Sequence, residues 1–405
     1  MSGADTGVDA GAGVWAEYNA LVQKARERML ARPEAVHQRV RDQAEYALVA
    51  MQAGCHHFHA LHRPDYPAFY RQTVWSPYEA SWGGPSSDMV YAWTFLDGRR
   101  TYRIHGRRGT TRFSDLQLFN GYFEREDMRG LGNLDFDSLA TGPDGSFSFI
   151  ASARRPAGWD GDWLPLDPAE PVICAQLRDT WWDWAGDRGI DIHIACLDPA
   201  DDAMVLPTAE THARLLRSGH LLERTVARAI GYANMNRKLA GGRDNAFGLV
   251  HGSGSTDHGA SGRAGYGGMV WDIAPGEALL ITLDEPQARY WSFQLVDWWW
   301  MTLDFSYHQS GLNGFQAERD PDGRIAMVLS LDDPGIANWL DPIGTPTGLV
   351  QMRWYDGAVA AAPDVEKIPL ADVAARLPHA RRISPAQRRA DISTRARASL
   401  ARWGY

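Results

Sequence analysis

The sequence has little cysteine, no excess of positive charge and no long apolar run. Its three cysteines, Cys55, Cys174 and Cys196, lack paired spacing. That reads as reduced thiols in a cytoplasmic protein, not as a disulfide framework. Basic residues number 41 against 50 acidic, a net charge of −9. Nucleic-acid binding needs a basic footprint, so that partner class is excluded. No stretch of about 18 apolar residues is present, so no membrane span is expected. The opening MSGADTGVDAGAGV has no basic region followed by an apolar core and does not read as a secretory signal. Positions 1–13 are expected to be disordered. The phosphate loop G-x-x-x-x-G-K-[ST] is missing, no dinucleotide fingerprint follows a strand, and no G-x-S-x-G elbow occurs. Nucleotide-dependent and serine-hydrolase chemistry lose support, and no cofactor is expected.

Tryptophan is what the chain has in abundance. There are 17, several in tight groups such as Trp181, Trp182 and Trp184, and Trp298, Trp299 and Trp300. Each brings a large apolar face and one N–H in need of a partner, which suggests a wide aromatic core or an aromatic-lined pocket. Helical spacing of apolar residues predicts helices near 14–31, 34–60 and 208–238, and a basic helix after Ser384-Pro385. Between them, stretches such as MVYAWTF, DGRR and TYRIHG follow strand–turn–strand grammar. VHGSGSTDHGASGRAGYGG, residues 250–268, reads as a flexible loop.

An internal repeat organises the strand-rich parts, near 89–184 and 269–356. RFSDLQLFN at 112–120 aligns with RYWSFQLVD at 289–297, matching Arg112 to Arg289, Gln117 to Gln294 and Asn120 to Asp297. PDGSFSFIAS from Pro143 aligns with PDGRIAMVLS from Pro321. Asp162-Trp163-Leu164 aligns with Asn338-Trp339-Leu340, Gln176-Leu177-Arg178 with Gln351-Met352-Arg353, and Met89-Val90 with Met269-Val270. Five collinear matches indicate duplication. A unit of about 90 residues with short strands suits a sandwich. The expected fold is mainly β with helical additions: two duplicated jelly-roll-like antiparallel β-sandwich domains. The expected division is a helical region over 14–82, a first sandwich over 83–200 and a helical connector over 205–240. A glycine-rich loop over 241–268, a second sandwich over 269–365 and a helical tail over 366–405 complete it.

Within 269–356, the stretches ARYWSFQL, LDFSYHQSGLNG, DPGIANWLD and QMRW resemble the bacterial domain of unknown function twelve-fourteen. The upstream PSSDMVYAWTFLDGRRTYRIHGRRG resembles the region that precedes it in the same proteins, with Pro85-Ser86-Ser87-Asp88 where an Asn-Pro-Asp-type turn is the pattern. The resemblance implies jelly-roll sandwiches with helical additions and implies little about activity.

Positions where the copies diverge are free to specialise. Arg112/Arg289, Gln117/Gln294 and Arg178/Arg353 are shared and read as scaffold, hydrogen-bonding loop carbonyls. After Asn120 the first copy reads GYFEREDMRG; after Asp297 the second reads WWWMTLDFSYHQS. The second gathers proton-transfer residues beside aromatic surface. In this reading Asp304 and His308, on one face of an extended 303–309, move protons. Tyr307 polarises an oxygen, and Trp291, Trp298, Trp299, Trp300 and Asn313 line an apolar pocket. The expected function is a cofactor-independent lyase or isomerase acting on a hydrophobic small molecule. The alternatives are a non-catalytic module binding carbohydrate or lipid, and a shell or assembly protein; a homo-oligomer is compatible with each. His56, His59 and His62, one helical turn apart, and His251 and His258 are weaker metal candidates, more naturally packing and loop residues. The C-terminal arginines (Arg381, Arg382, Arg388, Arg389, Arg395, Arg397, Arg402) read as a solvated face or an intersubunit contact.

Overall fold

The computed structural model describes residues 7–60, 62–71, 83–198, 206–250 and 263–404. Two long helices open the chain, α1 (Gly7–Leu30) and α2 (Gln38–Ala60). Pro33 opens the short turn between them and removes a backbone donor where the path changes. Helix α1 starts at Gly7, upstream of the expected start near 14.

Among the described residues nine strands follow: β1 (Tyr70–Arg71), β2 (Met89–Leu96), β3 (Tyr102–Arg107), β4 (Phe113–Phe119), β5 (Gly130–Asp135), β6 (Ser146–Ser152), β7 (Asp162–Pro165), β8 (Ile173–Thr180) and β9 (Asp191–Cys196). They form a five-stranded sheet, β1-β2-β8-β4-β5, and a four-stranded sheet, β7-β6-β3-β9. Helix α3 (Thr208–Leu239) leads to nine more: β10 (Gly248–Val250), β11 (Ala264–Asp272), β12 (Glu277–Leu283), β13 (Gln287–Val296), β14 (Gly311–Asn313), β15 (Ile325–Ser330), β16 (Trp339–Leu340), β17 (Thr347–Ala358) and β18 (Asp364–Pro369). Their sheets, β10-β11-β17-β13-β14 and β16-β15-β12-β18, repeat the first order strand for strand. The short helix α4 (Val373–Arg376) and the helix α5 (Pro385–Trp403) end the chain.

The duplication holds at the level of register. Gln117 faces Gln176 as Gln294 faces Gln351, and Asp115 faces Arg178 as Ser292 faces Arg353. A parallel pairing recurs in each sandwich too: Ile150 beside Trp163, Val328 beside Trp339. One of the five sequence matches is not a structural equivalence. Met89 pairs with Thr180, whereas Met269 pairs with Val350, the counterpart of Ala175. Side chains alternate faces along a strand, and the two methionines lie on opposite faces. Met269 packs inside the second sandwich, and Met89 packs between the two sandwiches.

Inside each sandwich, alternate residues fill the core. Leu116, Leu118, Ala175 and Leu177 meet Ile104, Phe147 and Phe149 in the first. Phe293, Leu295, Val350 and Met352 meet Leu279, Ile281 and Met327 in the second. The central strands β2, β4 and β8 are buried along their whole length, so their outer faces are covered as well. The two five-stranded sheets turn those faces toward each other. Phe113 lies 4.9 Å from Tyr355, centroid to centroid. The repeat-related Arg112 and Arg289 clasp one another: Arg112 Nε donates to the Arg289 carbonyl (2.6 Å) and Arg289 Nη2 to the Arg112 carbonyl (2.8 Å). Such reciprocity is the mark of a two-fold arrangement, here between two halves of one chain. Helices α1, α2 and α3 pack over the rest of both outer faces, against Trp93, Phe95 and Phe119 of one half and Val296, Trp298 and Leu349 of the other.

Of the glycine-rich stretch expected to be a loop, residues 264–268 belong to β11 (Ala264–Asp272). Its glycines answer to space. A Cβ on Gly265 would overlap the Trp354 ring, and one on Gly268 the Asn236 side chain of α3. Gly348, on β17, has no room for a Cβ beside the Trp271 ring, buried in the second core. Gly348→Ala is expected to lower stability by about 1–3 kcal/mol. Gly130→Ala, where no atom lies within 4 Å of the new methyl group, should leave it nearly unchanged. Urea unfolding of both variants checks the pair; equal midpoints would contradict this packing.

Candidate functional site between the two sandwiches

The candidate site residues divide among four environments. Trp291 is buried in the second sandwich. Trp298 and Trp299 are buried under the helices: Trp298 lies beneath Arg32 and Arg237, and Trp299 donates to the Val40 carbonyl (3.2 Å). Trp300 sits at φ +60 and stacks on Tyr232 of α3, with centroids 5.3 Å apart. Asp297 holds the turn that places them, accepting from Trp299 N (2.8 Å) and Met301 N (2.9 Å).

Residues 306–308 form a bend, so 303–309 is not the extended strand expected. The physical reason is Asp304, whose carboxylate accepts from Ser306 N (2.8 Å) and Tyr307 N (3.0 Å) and folds the chain back on itself. His308 instead pairs with a residue that sequence reasoning did not single out: Nδ1 lies 2.7 Å from Asp341 Oδ2. The Asp341 hydrogen bond raises the His308 pKa, with Asp304 adding a smaller pull. Tyr307 is exposed.

Asn313 lies elsewhere again. It donates to Asp88 Oδ1 (2.8 Å), which also accepts from Trp184 Nε1 (2.7 Å), while Asp88 Oδ2 accepts from Tyr290 OH (2.7 Å). Asp88 ends a buried segment, Gly84–Asp88, that runs between the sandwiches. Its main chain is held by the outer face of the second sandwich. Gln294 donates to the Pro85 carbonyl (2.7 Å) and accepts from Ser87 N (3.1 Å), Thr302 donates to the same carbonyl (2.8 Å), and Arg353 donates to the Gly84 carbonyl. The scaffold role read for Gln294 and Arg353 is what this geometry delivers.

Beside that segment the outer faces carry a polar seam. From the first sandwich come Tyr91, Gln176 and Arg178; from the second, Tyr266, Arg353 and Tyr355. Arg178 and Arg353 are 3% and 5% exposed, too deep for bulk water to solvate their charge. Arg178 is neutralised by Asp115, with Nη2 at 2.8 Å. Arg353 donates to neutral oxygens only, among them Gln294 Oε1 and Gln351 Oε1 (both 2.8 Å). The seam also holds hydrogen-bonding capacity that the protein leaves unused. Gln176 Oε1 is buried with no partner. Among the described residues, neither the hydroxyl of the part-buried Tyr266 nor that of the buried Tyr355 makes a hydrogen bond. Burial holds Tyr355 well above the usual phenol range, so it stands ready as a neutral donor. Sequence reasoning passed over Tyr266 inside a glycine-rich stretch. The available signal was the arginine in mid-strand at 178 and 353, two residues after a glutamine in each copy.

Other candidates resolve into packing. His56 bonds to Tyr18 OH (2.7 Å), His59 lies 3.5 Å from Glu124, and His62 packs on Phe95, with burial pushing its pKa down to about 2. No group of three or more His, Cys, Asp or Glu suited to a metal occurs among the described residues. His251 and His258 lie outside them. The C-terminal arginines are not all on a solvated face. Arg388, Arg395 and Arg402, seven residues apart and so on one side of α5, turn inward. They reach Asp333 (2.9 Å), the Phe305 carbonyl (2.6 Å) and the Ser87 carbonyl (3.0 Å).

Residues 92–177 match the family described as Protein of unknown function (DUF1214). The match falls on the first sandwich, not on 269–356, where the sequence resemblance was drawn. An uncharacterised protein from Burkholderia cenocepacia has the same fold, at TM-score 0.80 and 24% identity over 89% of this chain and 98% of that one. The VPA0106 protein from Vibrio parahaemolyticus aligns at TM-score 0.47 and 10% identity over 86% of this chain and 100% of that one. No curated protein matches the chain. No helix among the described residues is long and apolar enough to cross a membrane.

Burial pushes the Asp297 carboxyl up to about 7, against the two N–H groups that favour its charge. A carboxyl whose pKa is raised on folding contributes most below its unfolded value, and that contribution is lost as pH rises through the folded value. The first copy places Asn120 at this position, bonded to Arg129 N (2.7 Å). Asp297→Asn is therefore expected to gain stability relative to the parent as pH rises from about 5 to about 8. Unfolding midpoints measured across that range check it; a difference independent of pH would contradict the burial of an ionising group.

Proposed function

We propose that this protein binds a small, largely apolar molecule in the seam between its two sandwiches. One observation carries the reading: the unused hydrogen-bonding capacity of Gln176 Oε1, Tyr266 and Tyr355, set between two deeply buried arginines. Buried polar groups are ordinarily satisfied; Gln176 Oε1 is not, and the hydroxyls of the part-buried Tyr266 and the buried Tyr355 add donors to the same seam. Aromatic walls with a few convergent polar groups are the usual make-up of a small-molecule site. Tyr91, Trp93, Tyr122 and Phe113 supply such walls on the first sandwich, and Tyr290 on the second.

A second reading, acid–base catalysis on that molecule or another, rests on the His308–Asp341 pair at 2.7 Å, with the exposed Tyr307 next in the chain. A carboxylate that fixes one ring nitrogen orients the other for proton transfer. The pair belongs to the bend after Asp304, while the seam residues lie on β8, β11 and β17, so the two readings are tested separately.

The test offers purified protein a pool of hydrophobic alcohols, their sulfate esters, terpenoids, steroids and aromatic acids, and reads retained and converted species by mass spectrometry. Retention that falls about tenfold in Tyr266→Phe, Tyr355→Phe and Gln176→Leu, each the loss of one or two hydrogen bonds, is the expected result. Conversion that His308→Gln abolishes would support the catalytic reading. Retention indifferent to all three seam variants would move the site elsewhere, and no retention at all would overturn the binding reading.

A further inference from the structure

The charges of the seam do not balance. Arg178 has Asp115, whose carboxylate also accepts from Asn133 (2.7 Å). Arg353 has no carboxylate partner. Its donors go to Gln294, Gln351 and the Gly84 carbonyl, and its titratable neighbours include Tyr91, Tyr232, Tyr266, Tyr290 and Tyr355. Burial holds Tyr290 and Tyr355 far above the phenol range and raises Tyr91, so these tyrosines stay neutral. The repeat shows that the imbalance is specific to one half. Arg178 and Arg353 are equivalent, but the position across the strand from them is Asp115 in the first copy and Ser292 in the second. Both copies carry the cation, and only the first carries the counter-charge. Asp88 does not replace it, because its carboxylate is taken by Tyr290, Trp184 and Asn313 and the cation that acts on it is Arg402. On the α3 side, Arg228 lies over Phe123 (4.4 Å), half-buried, and has no ion pair among the described residues.

A buried charge left without a partner is costly, and removing the partner of a buried ion pair costs several kcal/mol. Arg353 is nonetheless held in place by three hydrogen bonds, with two unpartnered tyrosine hydroxyls beside it. Together they form an electropositive donor set of guanidinium and phenols, the chemistry that recognises an oxygen-centred anion.

We infer that the ligand of the seam carries a singly charged oxyanion head, a carboxylate or a sulfate ester, on its apolar body. The head stands where Ser292 leaves Arg353 without a counter-charge, with Tyr266 and Tyr355 donating to its oxygens. This deepens the binding reading and rests on it.

The test is a titration of the full chain with alkyl and fused-ring aryl carboxylates and sulfates, each beside the amide and the alcohol of the same carbon skeleton. Calorimetry gives the affinities. The anions are expected to bind at least about tenfold more tightly than their neutral counterparts, since hydrogen bonds to charged groups exceed neutral ones by that order. The carboxylate and sulfate arms tell the two heads apart. Arg353→Lys should keep the preference and Arg353→Gln should remove it. Arg353 also anchors Gly84, so Arg353→Gln could lose its fold. Tyr266→Phe removes a hydroxyl with no protein partner and is the companion variant, expected to weaken the anions more than the alcohols. Neutral counterparts binding as tightly as the anions would overturn the oxyanion head and leave the binding site standing. No binding by any compound would overturn both.

Discussion

The architecture depends on a stretch of main chain buried between two β-sheets. Gly84–Asp88 lies where its carbonyls and N–H groups have no water to turn to, and an unpaired backbone group there costs as much as a lost hydrogen bond. The outer face of the second sandwich meets that demand with Gln294, Thr302 and Arg353, and Tyr290, Trp184 and Asn313 then satisfy the Asp88 carboxylate. A sheet face that would otherwise be a plain apolar partner becomes polar at its centre. Everything else in the seam follows from having polar side chains so far from solvent.

Duplication explains how such a face arises twice. Both copies carry the glutamine and arginine on equivalent strands, in the same register. In the second copy they grip the segment that leads into the first. In the first, Arg178 turns to Asp115 and Gln176 Oε1 is left without a partner. The reciprocal clasp of Arg112 and Arg289 fixes the two faces against each other, and the helices close the remaining surface of both. The C-terminal helix adds Arg402 against Ser87 and Trp184, locking the buried segment from a third side.

The duplicated sandwich was readable because core residues and the turns between them recur at nearly fixed spacing. The face a residue takes was harder to read. Strands buried on both sides have no polar alternation to mark the core face, so Met89 and Met269 aligned as text although they point opposite ways. The start of β11 was hidden because Gly265 and Gly268 look like linker residues, and only the neighbouring Trp354 and Asn236 explain them. The seam was harder to read for a related reason. Divergence between copies drew attention to 298–309, where the tryptophans serve the helical core and Asp304 shapes a bend. Arg178 and Arg353 were read as scaffold because they recur. Their recurrence was visible in the sequence; the difference in what faces them, Asp115 against Ser292, becomes meaningful only once the register is known.

The central claim is that the seam is built to be occupied, not merely to be satisfied. High-resolution electron density for the protein as purified, and again after soaking with an apolar carboxylate, tests it most directly. Continuous density that bridges Arg353, Tyr266, Tyr355 and Gln176, and that is larger than ordered water, is the expected result. A seam closed by direct side-chain contacts, or filled by separate waters that no soaked compound displaces, would contradict it.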